Sequence, residues 1–267
     1  MYEDSILPGE DGFKGTLLDD YLALGYYRMQ HTLFNINCVP DGYYGKYQMF
    51  MPVFWLRTIV MKVSENKSTL AIRKKCAGFT ISCKKACITE EIEELYSLYR
   101  SHIDFETSEK CSDSLYSTFI ENPFDSWMIE VRDGTKLIAA GYFDIGKNAI
   151  MGILNIYHPC YRKYSLGKYL MLQKIEYALG NNIAYYYSGY ISTSNSKFDY
   201  KVFPDVTATE VYLPIEKEWK PYCKYDKYAL NDYIFGNLSE FSQRRGTYVN
   251  STCQLPGNQS FYIRSIN

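Results

Sequence analysis

The stretch that most constrains this chain runs from Trp127 to Gly189. Residues 127–132 and 136–144 read as strands, and Asp133-Gly134 between them is the dipeptide of a tight hairpin turn. After Gly146-Lys147-Asn148 comes a third strand, residues 149–157. Residues 158–164 form a loop. A helix follows, carrying Leu166, Tyr169, Leu170, Leu172, Gln173, Ile175 and residues 177–179 up to a stop at Gly180. Residues 184–189 form a further strand. Three antiparallel strands, a helix and a strand parallel to the third make a β-β-β-α-β unit, whose crossover must be right-handed. The chain therefore belongs to the α+β class, with a mixed β-sheet and flanking helices.

The remainder is organised around that unit. Residues 1–15 form an acidic lead-in. Leu17, Leu18, Tyr21, Leu22 and Leu24 have helical spacing, with Thr16 as N-cap and Gly25 as stop. Residues 26–36 and 50–63 read as strands, with a turn at Pro40-Asp41-Gly42. Shorter strands are expected near 69–73 and 78–82. Thr89 caps a helix over residues 90–101, and a short helix is expected within 114–120, before Asn122-Pro123. A division at residue 89 separates a smaller β-rich N-terminal region, 1–89, from a mixed-sheet domain, 90–267.

Composition narrows the function classes. A chain of 267 residues buries enough surface to need no disulfide or metal staple. Its charge, 29 − 30 = −1, is near neutral. Apolar runs near residues 49–56 and 59–63 are far below the roughly 20 needed to span a bilayer. The acidic N-terminus lacks the apolar core of a signal peptide, so the expected compartment is cytoplasmic and no membrane partner is expected. The eight cysteines form no CxxC pair. Cys83-x3-Cys87, with Cys76 upstream, reads as strand and turn, so no metal is expected. Tyrosine is the outlier, at 28 residues. It suits half-buried sheet positions, and equally a surface on which bases stack.

The chemistry is concentrated at the start of the long helix. A helix start offers unpaired backbone N–H groups and partial positive charge, a seat for a phosphate or a developing oxyanion. Here it reads Arg162-Lys163-Tyr164-Ser165-Leu166-Gly167-Lys168. The same residues equally suit a plain cap at Ser165 and close helix packing at Gly167. The β-β-β-α-β order is similar to the core of the GNAT acyltransferase fold, whose anionic donor lies at this helix start. The acetyl-coenzyme A loop of that fold has a second small residue where this chain has Tyr169, which counts against acetyl-CoA. Two segments are basic. Residues 71–88 hold Arg73, Lys74, Lys75, Lys84 and Lys85 with no acid. Residues 160–201 hold Arg162, Lys163, Lys168, Lys174, Lys197 and Lys201 against Glu176 and Asp199. Such segregation suits phosphate contacts, and also ordinary solvated faces.

Residues 185–204, from Tyr185-Tyr186-Tyr187-Ser188-Gly189-Tyr190 through Lys197-Phe198-Asp199-Tyr200-Lys201 to Phe203-Pro204, resemble the signature of the aminoacyl-tRNA–protein transferases. In that family Y-x-G-Y-x-I is followed by small polar residues, K-M-x-Y-K and an aromatic-Pro pair. Ser165-Leu166-Gly167-x-Tyr169 resembles the family's S-L-G-x-Y, and Asp144 the end of its V-x-D strand. Residue 198 is Phe where the family has Met, and the family's N-terminal cysteine cluster is missing. The resemblance implies a GNAT-like mixed sheet, no coenzyme A, and transfer of Arg or Leu from tRNA to the N-terminal α-amine of a protein beginning with Asp or Glu, an N-degron reaction. It needs no cofactor, because the aminoacyl ester is already activated. The expected donor contacts are Arg162, Lys163, Ser165, Leu166, Gly167, Lys168, Ser194, Lys197, Tyr200 and Lys201. Asp144 and Tyr190 are the catalytic candidates, Asp144 to hold the α-ammonium or take its proton. Arg28 and Arg57 are the candidates for an acidic acceptor side chain, since a guanidinium matches a carboxylate; ion pairs within the fold suit them as well. The alternatives are an N-acetyltransferase using acetyl-CoA and a non-catalytic RNA- or protein-binding relative. Oligomeric state is left open.

Overall fold

The computed structural model describes residues 5–44, 47–104, 107–116, 121–237, 247–249 and 263–265. In chain order the elements are β1 (Ser5–Ile6), α1 (Thr16–Ala23), β2 (Tyr27–Met29), β3 (Thr32–Phe34), β4 (Cys38–Tyr44), β5 (Tyr47–Ile59), α2 (Lys67–Cys76), β6 (Thr80–Lys85), α3 (Glu90–Arg100), α4 (Cys111–Leu115), β7 (Ser126–Asp133), β8 (Lys136–Ile145) and β9 (Ala149–Tyr157). Then follow α5 (Leu166–Gly180), β10 (Tyr185–Ser192), β11 (Thr209–Leu213), β12 (Glu218–Pro221), α6 (Lys227–Gly236), β13 (Thr247–Val249) and β14 (Ile263–Ser265). One large mixed sheet runs β12-β11-β5-β10-β9-β8-β7-β6, with β4 and β14 also paired to β5, and β1-β3-β2 form a small second sheet.

The predicted crossover unit is present. Strands β7, β8 and β9 are antiparallel neighbours, α5 follows β9, and β10 returns parallel to β9. Alternation along the strands sorts side chains to two faces. On β5, Phe54 and Leu56 join Leu230 and Ile234 of α6, whereas Val53 and Trp55 join Leu18 and Leu22 of α1. On β8, Phe143 packs with α5, and Tyr142 with Ile92 and Leu95 of α3. Helices α2, α5 and α6 thus cover one face, and α1, α3 and α4 the other.

Several local expectations are corrected. Residues 69–73 lie in helix α2: Asn66 accepts from the Ser68 and Thr69 amides, and Thr69 Oγ1 accepts from the Asn66 amide. Thr69, Ile72 and Cys76 are buried at helical spacing, so the β-branched residues there face a core from a helix. The expected strand over residues 26–36 is a hairpin, β2 and β3, whose turn takes Gln30 at φ 53°. Pro40-Asp41-Gly42 lies within β4 at a register shift between Pro40 and Tyr43, the kind of irregularity at which a strand tolerates proline. Helix α4 starts three residues before the expected 114–120 and overlaps it at 114–115; residues 117–120 lie outside the described residues. The expected division at residue 89 falls between β6 and β7, hydrogen-bonded neighbours in one sheet.

Candidate active site

Strands β9 and β10 pair only over Ala149–Met151 and Tyr185–Tyr187, and from there they diverge. Two irregularities lie at the fork. Strand β9 shifts register against β8 near Gly152, and β10 shifts against β5 between Tyr187 and Gly189. Tyr27 braces the fork, its hydroxyl donating to the Gly152 carbonyl. The opening is a cleft of about 960 Å³ that passes through the sheet. Its walls are Gly152–Asn155 on β9, Ser188–Tyr190 on β10, and the start of α5. Tyr27, Phe34, Met51 and Trp55 lie at the N-terminal side. Tyr27 and Trp55 stack there at 4.6 Å and 9°.

At the start of α5, Ser165 is left-handed, φ 55° and ψ 45°, and its side chain makes no cap. The plain-cap reading of Ser165 therefore fails, and among the described residues the first-turn amides of α5 keep no side-chain acceptor. A Cβ on Gly167 would meet only the Tyr157 ring, at 3.6 Å, so the glycine keeps the approach to those amides open. The loop that follows β10 brings in Lys197, Phe198, Tyr200 and Lys201. Lys201 Nζ stands 4.5 Å over the Tyr190 ring and 5.2 Å from that of Phe198. Gly189, at φ 109°, makes room for it: a Cβ there would lie 2.6 Å from Lys201 Nζ. Burial, reinforced by Lys197, lowers the Lys201 pKa to about 8. Among the described residues, six cations and one carboxylate, Asp41, line the cleft. Arg162, Lys168 and Lys201 form no ion pair among the described residues.

The cleft gathers Arg28, Arg162, Ser165, Leu166, Gly167, Lys168, Tyr190, Lys197, Tyr200 and Lys201. It leaves out four of the predicted residues. Lys163 turns to the Tyr164 ring, 5.2 Å away. Ser194 bonds Ser192. Arg57 donates to Glu210 at 2.8 Å and lies between the Tyr185 and Trp219 rings, so its guanidinium is already matched to a carboxylate. Asp144 is fully buried behind the cleft and accepts from Arg28 Nη1 at 2.7 Å and from the Ser126 hydroxyl. Arg28 also donates to the Gln30 and Leu115 carbonyls and stacks on Phe124 at 4.3 Å. Asp144 and Arg28 are thus each other's partner, an ion pair that ties the β2–β3 hairpin to β8 rather than an amine-handling carboxylate and an acceptor clamp.

Sequence reasoning counted Lys174 only as one more cation. It is 1% exposed and lines the cleft from α5. Its ammonium donates to the Tyr142 carbonyl and to Asn155 Oδ1, both at 2.8 Å. Burial lowers its pKa to about 7. The signal was legible: Leu170, Lys174 and Ala178 share one helical stripe, and a lysine on a buried stripe is rare. Of the five cations in residues 71–88, three are paired: Arg73 with Glu65 and Glu176, Lys84 with Glu130, and Lys85 with Asp125.

A forked sheet with an uncapped helix start and a surplus of cations suits an anionic group at the crossover helix. Comparison with known proteins finds a family match over part of the chain. Residues 91–204 match the family described as arginine-tRNA-protein transferase, C terminus. It is similar to the aspartate/glutamate leucyltransferase of Pseudomonas entomophila (strain L48), 31% identical over 155 residues, covering 57% of this chain and 62% of that protein. It is also similar to arginyl-tRNA–protein transferase 1 of Arabidopsis thaliana, 27% identical over 164 residues, covering 53% of this chain and 26% of that one. These matches span less than two thirds of either relative's length. Among solved structures, an N-acetyltransferase from Kribbella flavida aligns at TM-score 0.30 and 12% identity, covering 64% of this chain and 54% of that one.

Proposed function

We propose that this chain transfers an amino acid, Arg or Leu, from tRNA to the N-terminal α-amine of an acceptor protein beginning with Asp or Glu, an N-degron reaction in the cytoplasm. The observation that carries this reading is the uncapped start of α5 at the fork of β9 and β10, within the residues that match the family. In it, the Leu166 and Gly167 amides meet a phosphate or the developing oxyanion. Arg162, Lys168 and Lys201 add charge, and the Tyr190 and Tyr200 rings offer stacking faces for the terminal bases. The aminoacyl ester is already activated, so alignment, a proton acceptor and oxyanion stabilisation suffice and no cofactor is required. The N-terminal wall of the cleft is apolar but for Asp41 and the ion-paired Arg28; the apolar surface suits leucine, the carboxylate arginine.

The test is transfer from leucyl- and arginyl-tRNA to peptides beginning with Asp, Glu, Lys or Arg, beside a thermal-shift arm with acetyl-CoA. Transfer to the Asp and Glu peptides is expected, with tRNA affinity that falls steeply as salt rises. Stabilisation by acetyl-CoA without tRNA binding would overturn the reading.

A further inference from the structure

Lys174 Nζ has three tetrahedral positions beyond its carbon. Two N–H groups are held by the Tyr142 carbonyl and Asn155 Oδ1, at 2.8 Å each. The register shift between Tyr142 and Phe143 lies at the first of these acceptors. Gly141 makes the space, since a Cβ there would meet Asn155 Oδ1 at 2.8 Å and Lys174 Cε at 3.3 Å. The third position has no partner among the described residues, and the side chain lines the cleft two turns beyond the helix start. Asn155 also donates to the Gly167 carbonyl at 3.4 Å, joining Lys174 to the first turn of α5.

Aminoacyl transfer needs a group that takes a proton from the attacking amine, and the cleft offers few. Among the described residues, no histidine or cysteine lines it. Asp144 is engaged by Arg28 and Ser126. Lys201 lies against two aromatic rings, which favour its cationic form. Tyr27 and Tyr186, on β2 and β10, and Tyr142, on β8, are pushed up by burial and stay uncharged. The remaining charge of β8 facing Lys174 is Asp144, which favours the ammonium, but burial outweighs it. Lys168 shares its helix, with Nζ 5.2 Å over the Phe203 ring.

Resting on the transferase reading above, we propose that Lys174 is the proton shuttle of the transfer. As the acceptor's neutral α-amine attacks the ester carbonyl, the N–C bond forms and the carbonyl π pair moves to oxygen. Lys174 Nζ takes a proton from that nitrogen at its open position. When the C–O bond to the terminal ribose breaks, the ribose oxygen takes the proton from Lys174, which returns to its neutral state.

The test is single-turnover transfer from preformed aminoacyl-tRNA to a subsaturating acceptor peptide, between about pH 5.5 and 9, with filter binding and circular dichroism as controls. Wild type requires two deprotonated groups, Lys174 and the α-amine, whose ordinary pKa is about 8. Its log rate should rise with slope near two below about pH 7, near one between about 7 and 8, and level off above about 8. Lys174→Arg keeps charge and donors but cannot give up its proton. It should keep tRNA affinity, lose about 10²–10⁴ in rate, and rise with slope one up to about pH 8 before levelling off. Lys174→Met serves if the arginine disturbs folding. A Lys174→Arg variant as active as wild type, or a wild-type slope that stays near one below about pH 7, would overturn the shuttle alone. A wild type that transfers from no aminoacyl-tRNA overturns the transferase reading, and the shuttle with it.

Discussion

At the residue scale, burial decides what each charged side chain can do. Asp144→Asn leaves the Arg28 guanidinium buried without its counter-charge, and removing one member of a buried pair costs about 3–5 kcal/mol. Urea unfolding should show that loss; an unchanged midpoint would remove the ion pair from the stability of the fold. Lys201 stands over two rings with its ammonium turned to the cleft. Lys201→Ala should weaken aminoacyl-tRNA binding by about 1–3 kcal/mol, the worth of a charge-assisted hydrogen bond, and make the salt slope shallower by about one contact. Lys174 adds a pH signature. Folded, it releases its proton above about 7, whereas unfolded it holds it to about 10.4. Between those values the unfolded chain binds more protons, so stability rises with pH, by up to about 1.4 kcal/mol per pH unit from this group. Below about 7 both states are protonated and this dependence vanishes. Subtracting the Lys174→Met unfolding profile from that of wild type should expose the slope; a flat difference would show that burial does not perturb this lysine.

At the scale of elements, the helix start and the β10 irregularity are separable devices. Gly167→Asp places a carboxylate where an anion would sit, yet an acid in the first turn suits the helix dipole and the Cβ meets only the Tyr157 ring. Melting temperature should hold while tRNA affinity falls at least about tenfold, the worth of about 1.4 kcal/mol. Retained affinity would place the donor elsewhere. At Gly189 both effects coincide. The φ of 109° is foreign to a residue with a side chain, and the Cβ would sit 2.6 Å from Lys201 Nζ. Gly189→Ala should therefore cost about 1–3 kcal/mol of stability and displace the ammonium, lowering tRNA affinity as well.

At the scale of the whole molecule, pairing sorts the cations that sequence counts alike. Lys84 and Lys85 lie on the exposed strand β6, paired to Glu130 and Asp125, and charge on an edge strand also discourages pairing with another chain. Replacing both with Gln should change stability by no more than about 1 kcal/mol per pair and leave the salt slope of tRNA binding nearly unchanged. A slope reduced by two contacts would bring β6 into the donor surface. The crossover unit itself was legible because its signals are local. The Asp133-Gly134 turn, the alternation of β8 and the apolar stripe of α5 need no partner to be read. Helix α2 was misread because Thr69 and Ile72 favour strands intrinsically, and the Asn66–Thr69 capping box that decides the matter is a short-range polar pattern set against that preference.

What the sequence determined by itself is the order of strands and helix, the cation-rich helix start, and the motifs within residues 91–204 that match a known family. These depend on neighbours in the chain, where periodicity and turn chemistry act. Only the tertiary structure decided which charges remain available. Arg28 and Asp144 are 116 residues apart and neutralise each other across two elements, and Arg57 finds Glu210 153 residues away. Lys174 gains its loosely held proton from burial beside Asn155, with no carboxylate in contact. The worth of a charge depends on what surrounds it in space, and packing brings those surroundings from distant parts of the chain.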